Sequence, residues 1–400
     1  MIKSCVVALS FWAVAAVSAQ EFFDELEQHL SVSAFHENVR VKLSGTLDLE
    51  YYHFDQPPPG LIDAAGHDLF NPRLTLFVDA QLGPALYFFS QTRVDRHFDP
   101  SDRGAQVRLD EYALRFTPWK DGRVSLQVGK FATVFGMWVT RHLSWGNPFI
   151  TAPLVYENAL PLEDMAAPEL PFEGRRHDEK HEYISEVWGP DYTSGVSLAG
   201  RVGKLEYAVE FKNAALGARP ESWDATRVGF DDPSVNGRIG FRPNEAWNVG
   251  FSASDGAYLH PQAESTLPSG KDIGDYHERV VAQDISFEHH HLQLFAEFHE
   301  AQFEIPRIGD GNSFGYFIEA TYKLRPQLIA ALRWNQQFFD DVPNRAGARV
   351  SWAPDISRVE LAGTYRFTEH MHLKLEYYVE DEQGRADLSH NFAAQFTVRF

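Results

Sequence analysis

The residues in this chain that could do chemistry are charges, and most of them recur at alternate positions. Arg93, Asp95, Glu111, Arg115, Arg123, Arg201, Glu206, Arg238, Glu297, Glu319, Arg333, Arg358, Glu360, Arg366, Lys374 and Glu376 all fall in stretches where polar and apolar residues take turns. A period of two places such charges on one face of a β-strand. Charges of both signs facing a shared aqueous space would set which ions pass through it. A second group lies in an irregular stretch, 132–191, where Glu157, Glu163, Asp164, Glu169 and Glu173 precede Arg175 and Arg176. Acids brought into a bore from such a loop would narrow it and favour cations or neutral solutes. Signals for other chemistry are weak. There is no G-x-S-x-G elbow and no H-E-x-x-H pair, so an enzyme is not expected. Glu288-His289-His290-His291 reads as a solvated turn, because a metal needs converging ligands that a run of neighbours does not supply. Cys5 is the single cysteine, which excludes a disulfide within the chain and CxxCH haem attachment. No metal and no cofactor are expected.

The elements that must carry these charges are paired strands. Val41, Leu43, Gly45, Leu47, Leu49 and Tyr51 alternate with Lys42, Ser44, Thr46, Asp48 and Glu50. Hairpins follow along the chain, among them 196–211 across Gly203-Lys204, 281–298 across His289-His290, 314–334 across Arg325-Pro326 and 359–379 across 368–370. Proline cannot donate into a ladder, and on this reading every proline lies in a turn, a loop or a strand end. Connections alternate between tight turns and longer loops, the rhythm of a closed up-and-down barrel, for which the tally is about 16 strands. The segment 345–352 also alternates, but counting it would break the even total, so it is assigned to a loop.

Facing follows from cost. Turning 373–379 the other way would set Lys374 and Glu376 against lipid, at about 2–4 kcal/mol for a lysine at mid-bilayer. The apolar set therefore faces out and the charged set in. The chain carries 36 Lys and Arg against 56 Asp and Glu, a formal charge of -20, which argues against nucleic acid as a partner. Its mean hydropathy is -0.33, which does not exclude a membrane barrel, because alternation averages to neutral in any window. At the other end, Lys3, the apolar run 6–17 and Val17-Ser18-Ala19 have the form of a cleaved signal peptide, 1–19. Residues 20–39 then form a short periplasmic helix or lead-in, and 40–400 the barrel.

The final strand, 391–400, presents Phe392, Ala394, Phe396, Val398 and Phe400 on one face. It resembles the last strand of bacterial outer-membrane β-barrels, in which a closing aromatic, here Phe400, is the signal read by the barrel assembly machinery. With the other hairpins, the chain resembles the porins of Gram-negative bacteria. The hairpin 112–130, with Phe116-Thr117-Pro118-Trp119 at its turn and Val128-Gly129-Lys130-Phe131 after it, is similar to hairpins of phosphate-selective-type porins, as is Gly363-Thr364-Tyr365-Arg366-Phe367. Those members carry dense basic ladders and this chain is acidic, so the likeness does not extend to phosphate. The resemblance implies an all-β transmembrane antiparallel up-and-down β-barrel in the outer membrane. It implies contact with outer-membrane lipids, a homotrimer, and passive diffusion of ions and small hydrophilic solutes. In general porins the loop at the position of 132–191 folds inward as a constriction. Two other readings fit the same pattern: a barrel that sheathes a partner such as a multihaem cytochrome, and a non-conducting structural or adhesive barrel.

Overall fold

The computed structural model describes residues 20–35, 38–55, 57–62, 64, 66–95, 105–168, 183–219, 228–344 and 346–400. The proposed signal segment 1–19 and the loop charges Glu169, Glu173, Arg175 and Arg176 lie outside them.

Among the described residues nineteen strands run in chain order: β1 (Ser31–Ala34), β2 (Val39–Phe54), β3 (Asp68–Leu82), β4 (Leu86–Asp95), β5 (Gln106–Phe116), β6 (Ser125–Phe131), β7 (Thr193–Val202), β8 (Leu205–Lys212), β9 (Ser234–Phe241), β10 (Trp247–Ala257), β11 (His277–His289), β12 (Leu292–Ile305), β13 (Gly309–Arg325), β14 (Leu328–Phe339), β15 (Asp341–Pro343), β16 (Arg349–Ser351), β17 (Ile356–Arg366), β18 (Met371–Glu382) and β19 (Ser389–Arg399). Sixteen of them, β2–β14 and β17–β19, pair antiparallel with their chain neighbours. The ring closes where β19 pairs with β2, from Asn391 opposite Phe54 to Arg399 opposite Thr46. Closure leaves no unpaired edge, the condition for a sheet to sit in hydrocarbon.

Alternation explains why the wall has two unlike faces. On β17, Val359, Leu361 and Tyr365 are exposed outward while Arg358, Glu360 and Thr364 are buried inward. On β18, Leu375 and Tyr377 point out and Lys374, Glu376 and Tyr378 point in. An exposed apolar band around a closed ring is stable against lipid and costly against water. The segment 345–352 is not part of the ring: β15 and β16 form a separate hairpin in the loop after β14.

One expectation fails. Pro72 lies inside β3, opposite Leu49. Among the described residues the ladder to β4 begins only at Leu74, so Pro72 lies beyond the part of β3 that is paired on both sides, near a strand end, where a missing N–H is tolerated.

The seam has a further part. Residues 20–29 form a helix. It leads into β1, which pairs with β2 over Val39–Lys42, the stretch that β19 does not reach. Between the two, the Gly45 N–H donates to Phe400 O at 2.8 Å and the Phe400 N–H donates to Gly45 O at 3.0 Å. The Phe400 ring lies where a side chain on Gly45 would project, its Cζ 2.6 Å from the position of a Cβ. Glycine is therefore required beneath the terminal aromatic.

Candidate functional site: the folded-in segment and the gap beside it

The described parts of the connection between β6 and β7, 132–168 and 183–192, are largely irregular. Their backbone groups need partners once they leave water, and the inner wall supplies them in sequence. Ala132 N–H donates to Glu111 at 2.8 Å, Thr133 Oγ1 to Glu210 at 2.5 Å, and Gly136 N–H to Ser252 at 3.1 Å. Met137 and Trp138 N–H both donate to Glu297 Oε1, at 2.8 and 2.6 Å. After a 3-10 turn, Trp138–Arg141, Arg141 makes a two-pronged contact with Glu319 at 2.5 and 3.1 Å. Lys374 donates to Ser144 O. Ile150 and Thr151 N–H donate to Glu376 Oε2 at 2.5 and 3.2 Å, and Arg333 donates to Thr151 O at 2.9 Å. A short helix, Leu154–Glu157, follows. Tyr156 donates to Glu297 Oε2 at 2.6 Å, and Arg358 holds Glu157 at 2.5 Å. The segment thus contacts the wall from β5 to β18.

Apolar packing fixes the same segment. Phe135, Trp138, Val155, Tyr156, Leu160 and Leu162 form one buried cluster with wall residues Val280, Ala282, Ala301, Phe303 and Phe317. Those wall positions face inward although they are apolar, so the interior of this half of the ring is a packed core.

Gly136 sits at φ +69°, and a Cβ there would collide with the Tyr156 hydroxyl oxygen. Gly136→Ala is expected to cost at least 1–3 kcal/mol of docking from backbone strain and displaced packing. Lower protease resistance of 132–160 would check it; unchanged resistance would count against the docking described.

Of the sequence-named charges, Glu111, Glu297, Glu319, Arg333, Arg358, Lys374 and Glu376 hold the segment, and Glu360 binds Arg333 and Arg358. Glu157 and Asp164 are buried, and Asp164 pairs with Arg219 at 2.7 Å. Glu163 forms an isolated bridge with Tyr183. Arg238 pairs with Asp284 at 2.6 Å, and Glu206 with Arg242 at 2.7 Å. Arg115 donates to Gln127 at 2.9 Å and covers Tyr87 and Phe89. Arg366 ends β17. Arg123 lies in an exposed turn beside Asp121, and Arg201 is exposed, bonded to Gly203 O at 3.1 Å.

Arg93 and Asp95 belong to a separate cluster on β2–β5. Arg73 reaches Asp48 at 3.3 Å and Glu50 at 2.5 Å. Arg93 reaches Asp110 at 3.0 Å. Arg108 reaches Asp95 at 2.7 Å and Asp110 at 3.6 Å. Asp110 faces inward beside Glu111 because the ladder slips there, from Gln91–Glu111 to Thr92–Leu109, as a β-bulge does. Strict alternation did not find it. The anchors Trp138, Thr151, Tyr156 and Tyr192 were missed too, since nothing local in an irregular stretch marks them.

Between this charged cluster and the segment lies a cavity of about 160 Å³. It reaches from Thr46 and Thr75 to Leu61 and Ile62. Two wider cavities of about 480 and 520 Å³ lie on the tight-turn side and share Thr133, Val134 and Thr140.

His142 stands where segment and cluster meet. Its Nδ1–H donates to Val139 O at 2.5 Å, which leaves Nε2 to accept from the Tyr192 hydroxyl at 2.7 Å. Tyr192 in turn accepts from Gln91 at 3.0 Å and Arg93 at 3.4 Å. Burial, with Arg93 and Arg73 nearby, lowers the His142 pKa from 6.5 to about 4. The docked ring therefore binds a proton less readily than a released one. Its contribution to docking is full above pH 6.5 and falls as the pH drops towards 4. Protease sensitivity of the segment is expected to rise across that window and to lose much of this pH dependence in His142→Gln. A profile identical in the two proteins would contradict it.

Among the described residues, no group of three or more His, Cys, Asp or Glu is placed to hold a metal ion, and no helix is long and apolar enough to cross a membrane, which says nothing of a β-barrel. No protein-family model and no curated protein matches the chain. Solved structures do. OmpF of Salmonella typhi, in complex with daunomycin, is 12% identical with a TM-score of 0.58, over 92% of this chain and 100% of that one. The trimer form of OmpT, an outer membrane protein of Vibrio cholerae, is 10% identical with a TM-score of 0.56, over 90% and 99%. The anion-selective porin of Comamonas acidovorans is 11% identical with a TM-score of 0.54, over 90% and 100%. At these identities the likeness is one of architecture, and the protein has the fold of the outer-membrane porins.

Proposed function

We propose that the protein is a non-enzymatic outer-membrane channel for passive diffusion of small hydrophilic solutes, constricted by its own 132–191 loop. The observation that carries this reading is the pairing of the loop backbone with Glu297 and Glu376, which leaves a narrow gap beside Asp48, Glu50 and Arg73. A barrel meant only as a wall has no need to spend buried carboxylates on holding a segment beside an open lane. Occupation of the interior by Trp138, Tyr156 and Leu160 speaks against a sheath around a second protein. The reading includes removal of 1–19 on export, insertion by the barrel assembly machinery with Phe400 as signal, contact with outer-membrane lipids, and a homotrimer like the trimer form of the Vibrio OmpT.

The test is planar-bilayer recording of the purified protein and of a variant lacking 144–157. Discrete steps are expected in both, larger by severalfold in the deletion. Silence in both proteins would remove the channel reading.

A further inference from the structure

We propose that the gap beside the folded-in segment selects neutral polyhydroxylated solutes, up to about monosaccharide size, over ions of either sign. The assignment rests on the channel reading above and adds the solute class to it.

The two walls of the gap differ in kind. On the barrel side, Arg73 already answers Asp48 and Glu50 within 3.3 Å. Arg93 and Arg108 answer Asp110 and Asp95 within 3.0 Å. These three arginines face four carboxylates, so a permeating ion gains little from most of them, because a charge satisfied a hydrogen bond away is largely cancelled by its neighbour and only one net negative charge is left along this wall. On the segment side the lining is Trp138, Leu143, Ile150 and neutral polar groups such as Ser144. Its one carboxylate, Glu157, is bound to Arg358. No acidic face opposes a basic one, so no transverse field would sort ions by sign.

The end nearer the long loops is tighter in its chemistry. Ile150 of the segment and Ile62 of the β2–β3 connection pack against Tyr52 and Leu69. An apolar collar of this kind opposes hydrated ions, which must shed water there without replacement ligands. A sugar or polyol meets both walls on its own terms. Its hydroxyls exchange hydrogen bonds with Asp48, Glu50 and Arg73, and its C–H faces lie against Trp138 and Ile150. Apolar lining with a few placed polar groups is the usual make-up of a small-molecule site. A gap of about 160 Å³ is smaller than the roughly 300–1,000 Å³ usual for sites that hold drug-sized ligands, which limits the solute to about one sugar ring.

The test is swelling of proteoliposomes in isosmotic glucose, sodium gluconate and glucosamine hydrochloride, three solutes of one size and three charges. Glucose is expected to enter at least fivefold faster than either ion, and a smaller ratio overturns the assignment. Ile150→Ala should open the collar and raise both ionic rates severalfold relative to glucose. Arg73→Gln should leave Glu50 short of its cation and raise the glucosamine-to-gluconate ratio about threefold. No change in either variant would also overturn the assignment, and Ile150→Ala carries the test should Arg73→Gln fail to fold. Equal entry of all three solutes would leave the channel standing and remove its selectivity. Exclusion of all three, by the wild type and by the 144–157 deletion, would remove the channel itself.

Discussion

Arg358→Met is expected to release the folded-in segment and to destabilise the barrel by about 3–5 kcal/mol, the range for removing one partner of a buried ionic network. Arg358 is fully buried on the inner face of β17. Its guanidinium reaches Glu157 of the segment at 2.5 Å, Glu360 at 3.2 Å and Glu380 at 3.0 Å. One cation therefore serves three carboxylates. Methionine restores much of the volume and none of the charge, so the loss comes from electrostatics rather than from a cavity. Burial already raises the Glu157 pKa, with Arg358 pulling it back. Without Arg358 the effect of burial is no longer offset, so this carboxyl is expected to bind a proton more readily still or to leave the interior with its helix. Leaving draws out Leu154–Glu157 and opens the lane beside it. The checks are the temperature at which the barrel loses its fast-migrating form in detergent gels, expected to drop by several degrees, and single-channel records, expected to become larger and noisier. A variant as heat-resistant and quiet as the wild type would show that Glu157 is held by packing alone. Arg358→Lys separates charge from geometry: it keeps a cation but can meet fewer of the three carboxylates at once, so its stability should fall between the other two.

The sequence made the ring legible and left most of the lane obscure, for one physical reason. The wall obeys a local rule: lipid outside and water or polar contacts inside force a period of two, so Val359–Leu361–Tyr365 and Lys374–Glu376 could be assigned faces from cost alone. The segment follows no such period. Which of its residues meets Glu297 or Glu376 depends on how it folds back across the bore, a long-range fact with no local trace. The same dependence changes what the wall charges mean. Glu297, Arg333 and Glu376 are buried, and their partners include Trp138, Thr151 and Tyr156 from the chain itself. A partial signal did exist. Val280-Val281-Ala282 and Tyr316-Phe317-Ile318 are apolar at both parities, and a strand that breaks alternation that way has something apolar packed on its inner side. Asp110 is the opposite case: the bulge that turns it inward shows only as two adjacent acids, Asp110-Glu111, which alternation treats as one in and one out.

Glu297→Ala should undock the segment at its other anchor, and more completely than any single change within the loop. One carboxylate gathers four donors: Met137 and Trp138 N–H on Oε1, and Tyr156 hydroxyl at 2.6 Å with His299 Nε2 at 3.1 Å on Oε2. Hydrogen bonds to a charged acceptor contribute about 1.5–3 kcal/mol each, and a buried donor left without one costs a further penalty. The contributions do not add, because the donors share an acceptor, but the loss is expected to exceed 3 kcal/mol. The Trp138 and Tyr156 rings are in contact, their centroids 4.6 Å apart, so freeing their polar ends loosens the aromatic pair that packs the middle of the segment. Trp138 is also part of the lining of the narrow gap. Undocking at Glu297 therefore widens the lane, whereas Arg358→Met acts on the helix at its side. The expected result is a severalfold rise in single-channel conductance with little change in the heat resistance of the ring, whose β11–β12–β13 ladder does not use this side chain. Glu297→Gln keeps one oxygen for the two backbone donors and should stay close to the wild type. Conductance unchanged in the alanine variant would mean that the apolar cluster alone positions Trp138, and the carboxylate would then be a satisfied buried group rather than the hinge pin of the constriction.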